Sequence, residues 1–192
     1  MNGTLLVGIV LVFGIAGIII YAVGIYNTLV RLSNNIDKAW SNIDVILRQR
    51  HDELPKLVDV CNSYMKHERE TLEGVTKARS ACIRGASVDD KAKAENELTT
   101  ALGKLFAVAE QYPDLKANQE FLNMQQRISA LESTIADRRE FYNDSVNLYN
   151  IRIEQIPAIW VAQQTGYRAR PLLTVAQSDR EDVRLAFANR AA

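Results

Sequence analysis

Histidine and carboxylate side chains are the residues of this chain that could bind a metal ion or act as a general base. His67-Glu68 matches the first half of the zinc-protease motif His-Glu-x-x-His, but Thr71 occupies the place of the second histidine. His51 lies 16 residues before His67, about 24 Å along a continuous helix. The two histidines could therefore share a metal only if the chain reversed between them, and we predict no metal site.

Motifs for nucleophilic catalysis and phosphate binding are absent from the sequence. No serine or cysteine stands in a nucleophile motif with a histidine, and no glycine-rich loop could hold a phosphate. Many carboxylates are spaced to pair with a cation one helical turn away, as Glu73 is with Arg69. We predict no catalytic, cofactor-binding or metal-binding residues and a protein that is not an enzyme. An undetected enzyme that uses His51 or His67 is the least supported alternative.

The two cysteines indicate packing rather than a disulfide. Cys61 and Cys82 are 21 residues apart, about 31 Å along a helix, which is too far for a bridge within that helix. Both fall at apolar positions of the helical pattern, so we expect small buried side chains. Unpaired cysteines also suit a reducing compartment.

The dipeptide Tyr-Asn occurs three times, as Tyr26-Asn27, Tyr142-Asn143 and Tyr149-Asn150. We expect each tyrosine on a helix seam and each asparagine beside it, where its amide could bond to another helix. The contact could lie inside one bundle, or it could fix the register between two subunits. If the first helix is continuous, Tyr26 lies near the membrane and Tyr149 far from it, so we expect that these two do not meet within one subunit.

An uncharged segment, residues 5–25, precedes all of these residues. It has about 21 residues and would span about 31 Å as a helix, the thickness of a bilayer core. A cleaved signal peptide is the alternative, but residues 1–4 carry no Lys or Arg and no Ala-x-Ala site follows. Tyr21 and Tyr26 suit the aromatic belt of a membrane interface. We therefore predict a transmembrane helix.

The charges beside this segment predict its orientation. Arg31 and Lys38 follow it, whereas no basic residue precedes it. The positive-inside rule then places the C-terminal domain in the cytoplasm and residues 1–4 outside, as a short extracytoplasmic N-terminus. The predicted location is the inner (plasma) membrane, with a single pass.

A seven-residue repeat continues beyond the apolar segment and predicts long helices with one buried seam. Pro55 interrupts it, but no Gly, Asn or Ser lies close before Pro55 and the apolar register stays in phase, which favours a kink over a hairpin. One register of the repeat contains Tyr26, Ser33, Trp40, Leu47, Leu54, Cys61, Glu68, Val75 and Cys82, and the other contains Leu29, Ile36, Ile43, Arg50, Leu57, Tyr64, Thr71 and Ala78.

Clear end signals divide the rest of the chain. Gly85 suits a C-cap and Ser87 an N-cap, which predicts helices over 26–84 and 88–111. Pro113 and Pro157 bracket a last long helix over 114–156. We expect its far end to project away from the membrane, covered by residues 158–187 or by another subunit. The residues after 157 form a mixed segment with isolated apolar anchors: Leu172, Leu173, Val175, Val183, Leu185 and Phe187.

The predicted fold class is all-α, with an N-terminal transmembrane helix followed by an elongated, antiparallel bundle of three long helical segments, the first kinked at Pro55. The predicted domains are residues 1–4 as the extracytoplasmic N-terminus, 5–25 as the transmembrane helix, 26–157 as the bundle and 158–192 as a partly ordered C-terminal segment.

The sequence resembles the LemA family over nearly its whole length. The segments that match are, in chain order, residues 26–31, 39–45, 50–58, 67–72, 78–79, 110–116, 138–143, 149–152 and 156–157. The tail differs, since Gly166-Tyr167 and Arg170-Pro171 stand where the family often has Gly-Phe and Tyr-Phe pairs. The resemblance implies a single-pass bacterial membrane protein with a long helical bundle. It implies no reaction.

These observations predict a membrane-anchored helical scaffold that self-associates and organises or shapes the membrane. The expected partners are the lipid bilayer, further copies of the chain and a membrane protein. Nucleic acid is excluded, since 23 Lys and Arg balance 23 Asp and Glu. The alternative is an adaptor that binds a membrane protease or an envelope-stress partner through Trp160 and the unusual tail. No cofactor is expected.

Overall fold

The computed structural model describes residues 3–85 and 87–173 and contains only helices within those ranges, which confirms the predicted all-α fold. The helices of the described residues are α1 (Gly3–Tyr64), α2 (Arg69–Arg84), α3 (Val88–Ala109), α4 (Pro113–Lys116), α5 (Gln119–Glu154) and α6 (Ala158–Thr165). These residues form two compact units. The first unit contains residues up to 52 and 126–172, and the second contains 53–125 and 173.

Helix α1 begins with the predicted apolar segment. Within the described residues it is the one helix with the length and composition to cross a membrane. The large apolar side chains from Leu6 to Ile20 are all exposed, as expected for side chains that would face lipid. Side chains become buried at Ile25 and Leu29, where the first unit begins to cover the helix.

The structure confirms that the chain does not reverse at Pro55, because α1 continues through this residue to Tyr64. The single helical segment predicted over 26–84 is wrong, however, because residues 65–68 interrupt it. The side chain of Met65 is fully buried there, and the Glu68 carboxylate accepts a hydrogen bond of 3.0 Å from the Tyr112 hydroxyl. These contacts stabilise a break for which the local sequence has no glycine or proline.

Helices α2 and α3 pack against each other in the second unit. The predicted boundary between them is confirmed, since α2 ends before Gly85 and the Ser87 hydroxyl accepts a 3.1 Å hydrogen bond from the backbone N–H of Asp90. The apolar side chains of this pair form part of the core: Leu72, Val75, Cys82, Ala92, Ala94, Leu98, Leu102 and Leu105.

The predicted helix over 114–156 is divided in the structure. A single turn, α4, begins at Pro113, and α5 follows it after residues 117–118. The side-chain oxygen of Asn118 accepts a 2.9 Å hydrogen bond from the backbone N–H of Phe121, so Asn118 caps the start of α5. Helix α5 ends at Glu154, close to the boundary that Pro157 predicts.

In the first unit, α5 runs antiparallel to α1. Trp40 packs edge-on against Tyr142, with ring centroids 6.0 Å apart, and Arg50 pairs with Glu132. The end of α5 thus lies beside the residues that follow the apolar segment. The expectation that this end of α5 projects away from the membrane is wrong. Since α1 ends at Tyr64 rather than at residue 84, the helices alternate in a different order, and α5 runs back along α1. The buried seam of α5 contains Ile128, Ile135, Tyr142, Val146, Tyr149 and Ile153.

Helix α6 is an element that the sequence patterns did not predict. Its residues Ala158 and Ala162 are buried, and it ends at Gly166. Of the predicted C-terminal anchors, Leu172 is exposed and Leu173 is buried. Val175, Val183, Leu185 and Phe187 lie outside the described residues.

Candidate functional site

The most developed polar site of the first unit lies where the chain returns to α1 and α5 after α6. We call residues 166–170 the return segment. Gly166 has a φ of 78°, a left-handed conformation that glycine adopts without strain and that ends α6. The backbone N–H of Tyr167 still bonds to the carbonyl of Ala162, at 3.0 Å. This turn directs the return segment onto the two long helices.

The third Tyr-Asn dipeptide binds the return segment through its backbone. The Asn150 amide donates to the carbonyl of Arg170, and the backbone N–H of Arg170 donates to the Asn150 side-chain oxygen, both at 2.9 Å. The Tyr149 hydroxyl donates to the carbonyl of Arg168 at 3.0 Å. The prediction that this amide bonds to another helix is therefore wrong at Asn150, because its partner is the backbone of the return segment of the same chain.

Two tyrosines that were expected to stay apart share a partner in the structure. The ring centroid of Tyr167 lies 6.3 Å from that of Tyr26 and 6.3 Å from that of Tyr149. The expectation that Tyr26 and Tyr149 lie far apart within one subunit is therefore wrong. Because α5 runs back along α1, the two residues lie at the same end of the first unit. Tyr26 itself is exposed rather than on the buried seam.

Arg170 fixes the return segment to α1. Its guanidinium donates to the Asp37 carboxylate at 2.5 Å and to the Ser33 hydroxyl at 3.0 Å. The hydrogen bond to Asp37 raises the pKa of Arg170, so the guanidinium is a permanent cation. One side chain therefore connects the C-terminal return of the chain to the first turns of its soluble part.

The tyrosines of this site are poor candidates for catalysis. Burial raises the pKa of Tyr142, Tyr149 and Tyr167 above the ordinary value of a phenol. They are therefore protonated at neutral pH; the Tyr149 hydroxyl donates a hydrogen bond, and all three rings pack against another aromatic ring. The arrangement can hold the return segment against α1 and α5.

An ion pair between Arg50 and Glu132 occupies the interior of the same unit. The Arg50 side chain is 0% exposed, and Glu132 is about a quarter exposed. Arg50 stands in the predicted apolar register, a position where a cation requires a partner on the facing helix. An arginine in an apolar register therefore indicates a buried ion pair. The sequence pattern does not identify Glu132 as the partner.

The histidines and cysteines considered for chemistry belong to different elements of the chain. His51 is half-buried on α1, and His67 is exposed in the turn after α1. Cys61 and Cys82 are buried and are not joined by a disulfide, as the sequence predicts. Burial raises the pKa of the Cys61 thiol to about 12, so this thiol is inert at neutral pH.

A groove of about 760 Å³ lies between α2 and α3 in the second unit. Charged side chains of both signs line it, including Glu73, Lys77, Glu97 and Lys104. Among the described residues, its lining contains no histidine, cysteine or aromatic side chain. Alternating charges of this kind are typical of a solvated surface between helices.

The exposed face of α5 carries apolar side chains in a regular row. Phe141, Leu148 and Ile151 are 55%, 57% and 46% exposed. We call these three residues the α5 stripe. It lies on the same helix as the buried seam but on a different face, since Tyr142 and Tyr149 are buried while their neighbours are exposed. The sequence registers did not separate the stripe from the seam.

Comparison with known proteins gives a family match over most of the chain. The model of the LemA family matches residues 39–187. The protein LemA of Metamycoplasma hominis is 31% identical over 163 residues, which cover 84% of this chain and 74% of that protein. Magnetosome protein MamQ 2 of Paramagnetospirillum magneticum is 27% identical, and MamQ of Magnetospirillum gryphiswaldense is 22% identical. Each MamQ match covers 74% of this chain and only 62% of the relative.

Proposed function

The chain belongs to the LemA family, and from this premise we propose that it is a membrane-anchored helical scaffold whose copies associate side by side. The proposal has two parts, an anchor and a surface for self-association. The anchor is the apolar start of α1, which has the length and composition to cross a bilayer. The surface is the α5 stripe.

The α5 stripe is the observation that carries the proposal. Its members are separated by seven and then three residues, the spacing at which one helix packs along another in a coiled coil. Single exposed apolar side chains are normal on protein surfaces. A row of three at this spacing, each about half exposed, favours a helical partner that would cover it.

A second copy of the chain is the partner that we propose for the stripe. A membrane anchor confines the copies to one plane and aligns them, which raises their effective concentration for each other. The chain has no net charge, so long-range repulsion does not oppose this association. Parallel copies held in this way would form an array, and such an array could organise or bend the membrane to which it is attached.

Native mass spectrometry of the full-length protein in lipid nanodiscs and mild detergent tests self-association. The variant changes Phe141→Gln and Leu148→Gln together, and the matched control changes Val45→Gln, an exposed apolar residue of α1. We expect oligomers for the wild type and the control at micromolar concentration. The dissociation constant of the double variant should be about tenfold larger, which corresponds to a loss of about 1.4 kcal/mol of association free energy. Monomers of the wild type under all conditions would contradict the proposal.

The adaptor remains the second candidate because a different helical protein could cover the same stripe. A photo-crosslinker introduced at Ser145, which lies on α5 between Phe141 and Leu148, separates the two functions. Homodimeric products support the scaffold. Products that contain one other membrane protein, without homodimers, support the adaptor. Electron microscopy of liposomes that carry the protein would then show whether an array deforms the bilayer.

A further inference from the structure

A second apolar surface lies at the membrane-proximal end of the first unit, and it is built from α6. Trp160 is 62% exposed and Ile156, just before the helix, is 76% exposed. Ala158 and Ala162 are buried, at 0% and 3%. At 100° per residue, Trp160 lies about 200° from Ala158 around the helix. Trp160 therefore projects from the face of α6 that is opposite its buried face.

The structure places the C-terminal end of α6 beside the end of the apolar segment. Tyr167, two residues after α6, packs against Tyr26, which directly follows the segment. Ile25, the last residue of the segment, is already buried, with 4% exposure, whereas Val23 is 51% exposed. The packed part of the first unit thus begins at the position where α1 would leave the hydrocarbon of a bilayer. The C-terminal end of α6 lies at this same end of the unit.

The composition of α6 and its flanks is that of a segment which lies in a membrane interface. No charged side chain occurs between Gln155 and Tyr167, and the exposed Arg168 follows directly. Tryptophan is enriched at the depth of the lipid headgroups, where its ring is buried and its N–H stays hydrated. Basic residues at the edge of such a segment attract anionic lipids.

We propose that α6 is an interfacial helix, with Trp160 and Ile156 inserted between the lipid headgroups of the bilayer that α1 crosses. The inference rests on the proposed membrane anchor but not on self-association. It adds a second contact between the first unit and the lipid, at a fixed distance from the span. This contact would restrict the tilt of the soluble part of α1 relative to the membrane.

Quenching of tryptophan emission by brominated lipids tests the inference in the full-length protein. The protein is reconstituted in vesicles of phosphatidylcholine and phosphatidylglycerol, with bromine atoms placed either near the headgroup or deep in the acyl chains. The W40F variant retains only Trp160, and the W160F variant retains only Trp40. Trp40 lies about 21 Å farther along α1 than Tyr26 and serves as the matched control.

We expect shallow bromine to quench at least about twice as large a fraction of the Trp160 emission as of the Trp40 emission. If W40F does not fold, the wild type is compared with W160F, since removal of Trp160 should abolish most of the lipid-dependent quenching. Equal, weak quenching of both tryptophans would overturn the inference. So would shielding of Trp160 that depends on the ratio of protein to lipid, because a second copy would then cover α6.

A third reporter separates failure of this inference from failure of the anchor. In the background W40F/W160F, the substitution Phe13→Trp places the only tryptophan in the middle of the apolar segment. Strong quenching of this reporter by deep bromine, together with an unquenched Trp160, would leave the anchor intact and refute the interfacial helix. If the reporter were unquenched as well, the anchor itself would be refuted, and the interfacial helix with it.

Discussion

Asn150 and Tyr149 show how one short motif can position a distant segment of the chain. Asn150 offers both a donor and an acceptor to the backbone of Arg170, and Tyr149 adds a bond to the carbonyl of Arg168. Arg170 then uses its side chain for Asp37 and Ser33 on α1. Tyr149 is buried and Asn150 and Arg170 are half-buried, so loss of either helix side chain would leave polar backbone groups without equivalent solvation.

The substitution Asn150→Ala should lower the free energy of unfolding by about 1–3 kcal/mol, because two hydrogen bonds are lost and their backbone partners stay partly buried. Urea unfolding of the detergent-solubilised protein, followed by tryptophan emission, measures the change. The control Asn147→Ala lies on the exposed face of the same helix and should change stability by less than about 0.5 kcal/mol. Equal stabilities of the two variants would contradict this role of Asn150.

The raised pKa of Tyr149 predicts a loss of stability in alkali. Burial raises this pKa in the folded protein, so the unfolded chain releases the phenolic proton first as the pH rises. The contribution of Tyr149 is complete below the ordinary pKa of about 10 and is lost as the pH passes through the raised value. Urea midpoints measured from about pH 9 to about pH 11 should therefore fall less steeply for Tyr149→Phe than for the wild type. Parallel curves would exclude the effect.

At the scale of the helices, side-chain hydrogen bonds within the second unit stabilise two of the boundaries that the sequence did not predict. Asn118 caps α5 through Phe121 and donates a 3.0 Å hydrogen bond to the Tyr64 hydroxyl at the end of α1. Tyr112 donates to Glu68 in the break before α2, and this hydrogen bond raises the pKa of the Tyr112 phenol. The end of α1 thus contacts the start of α5, and the residue before α4 contacts the residue before α2. In each case one side chain supplies a hydrogen-bond partner for the other.

The substitution Asn118→Ala should destabilise the protein by about 1–2 kcal/mol, since it removes the N-cap of the longest helix after α1. The control Asn123→Ala lies one turn inside α5 on an exposed face. Thermal unfolding followed by circular dichroism compares the two variants. Rescue by Asn118→Asp, which can still cap the helix but cannot donate to the Tyr64 hydroxyl, would support the cap as the main contribution, provided that Tyr64→Phe keeps nearly wild-type stability. A wild-type melting temperature for Asn118→Ala would disprove the role.

At the scale of the molecule, the antiparallel course of α1 and α5 brings the late part of the first unit back to the level where the apolar segment ends. The contacts of Arg170 with Asp37 and of Tyr167 with Tyr26 join residues that are more than 130 positions apart. Surfaces that could touch lipid or a neighbouring copy thus come from both early and late parts of the chain. The basic residues Arg31, Lys38 and Arg168 are all exposed on this unit.

The predicted orientation, with the residues after the span in the cytoplasm, can be measured by cysteine labelling. In the background C61A/C82A, Ser41→Cys places a thiol at an exposed position of α1. A membrane-impermeant maleimide should label it in inverted vesicles and leave it unlabelled in intact spheroplasts. Gly3→Cys, on the other side of the span, should show the opposite pattern. Labelling of Ser41→Cys in intact spheroplasts would reverse the predicted topology.

The sequence by itself determined the features that depend on neighbouring residues. The apolar segment, the seam through Leu29, Ile36 and Ile43, and the cap at Ser87 follow from local spacing and local hydrogen bonds, and the structure confirms them. The all-α fold and the passage of α1 through Pro55 follow from the same periodicity.

Only the tertiary structure decided the features that depend on distant residues. The break at 65–68 needs Tyr112, and the position of the return segment needs Asn150, Asp37 and Ser33. Hydrophobic periodicity indicates which face of a helix is apolar. It does not indicate which distant side chain will form a hydrogen bond at the end of that helix. The break at 65–68 and the position of the return segment therefore became visible only in the folded chain, because the partners of their polar groups lie 19 to 137 residues away.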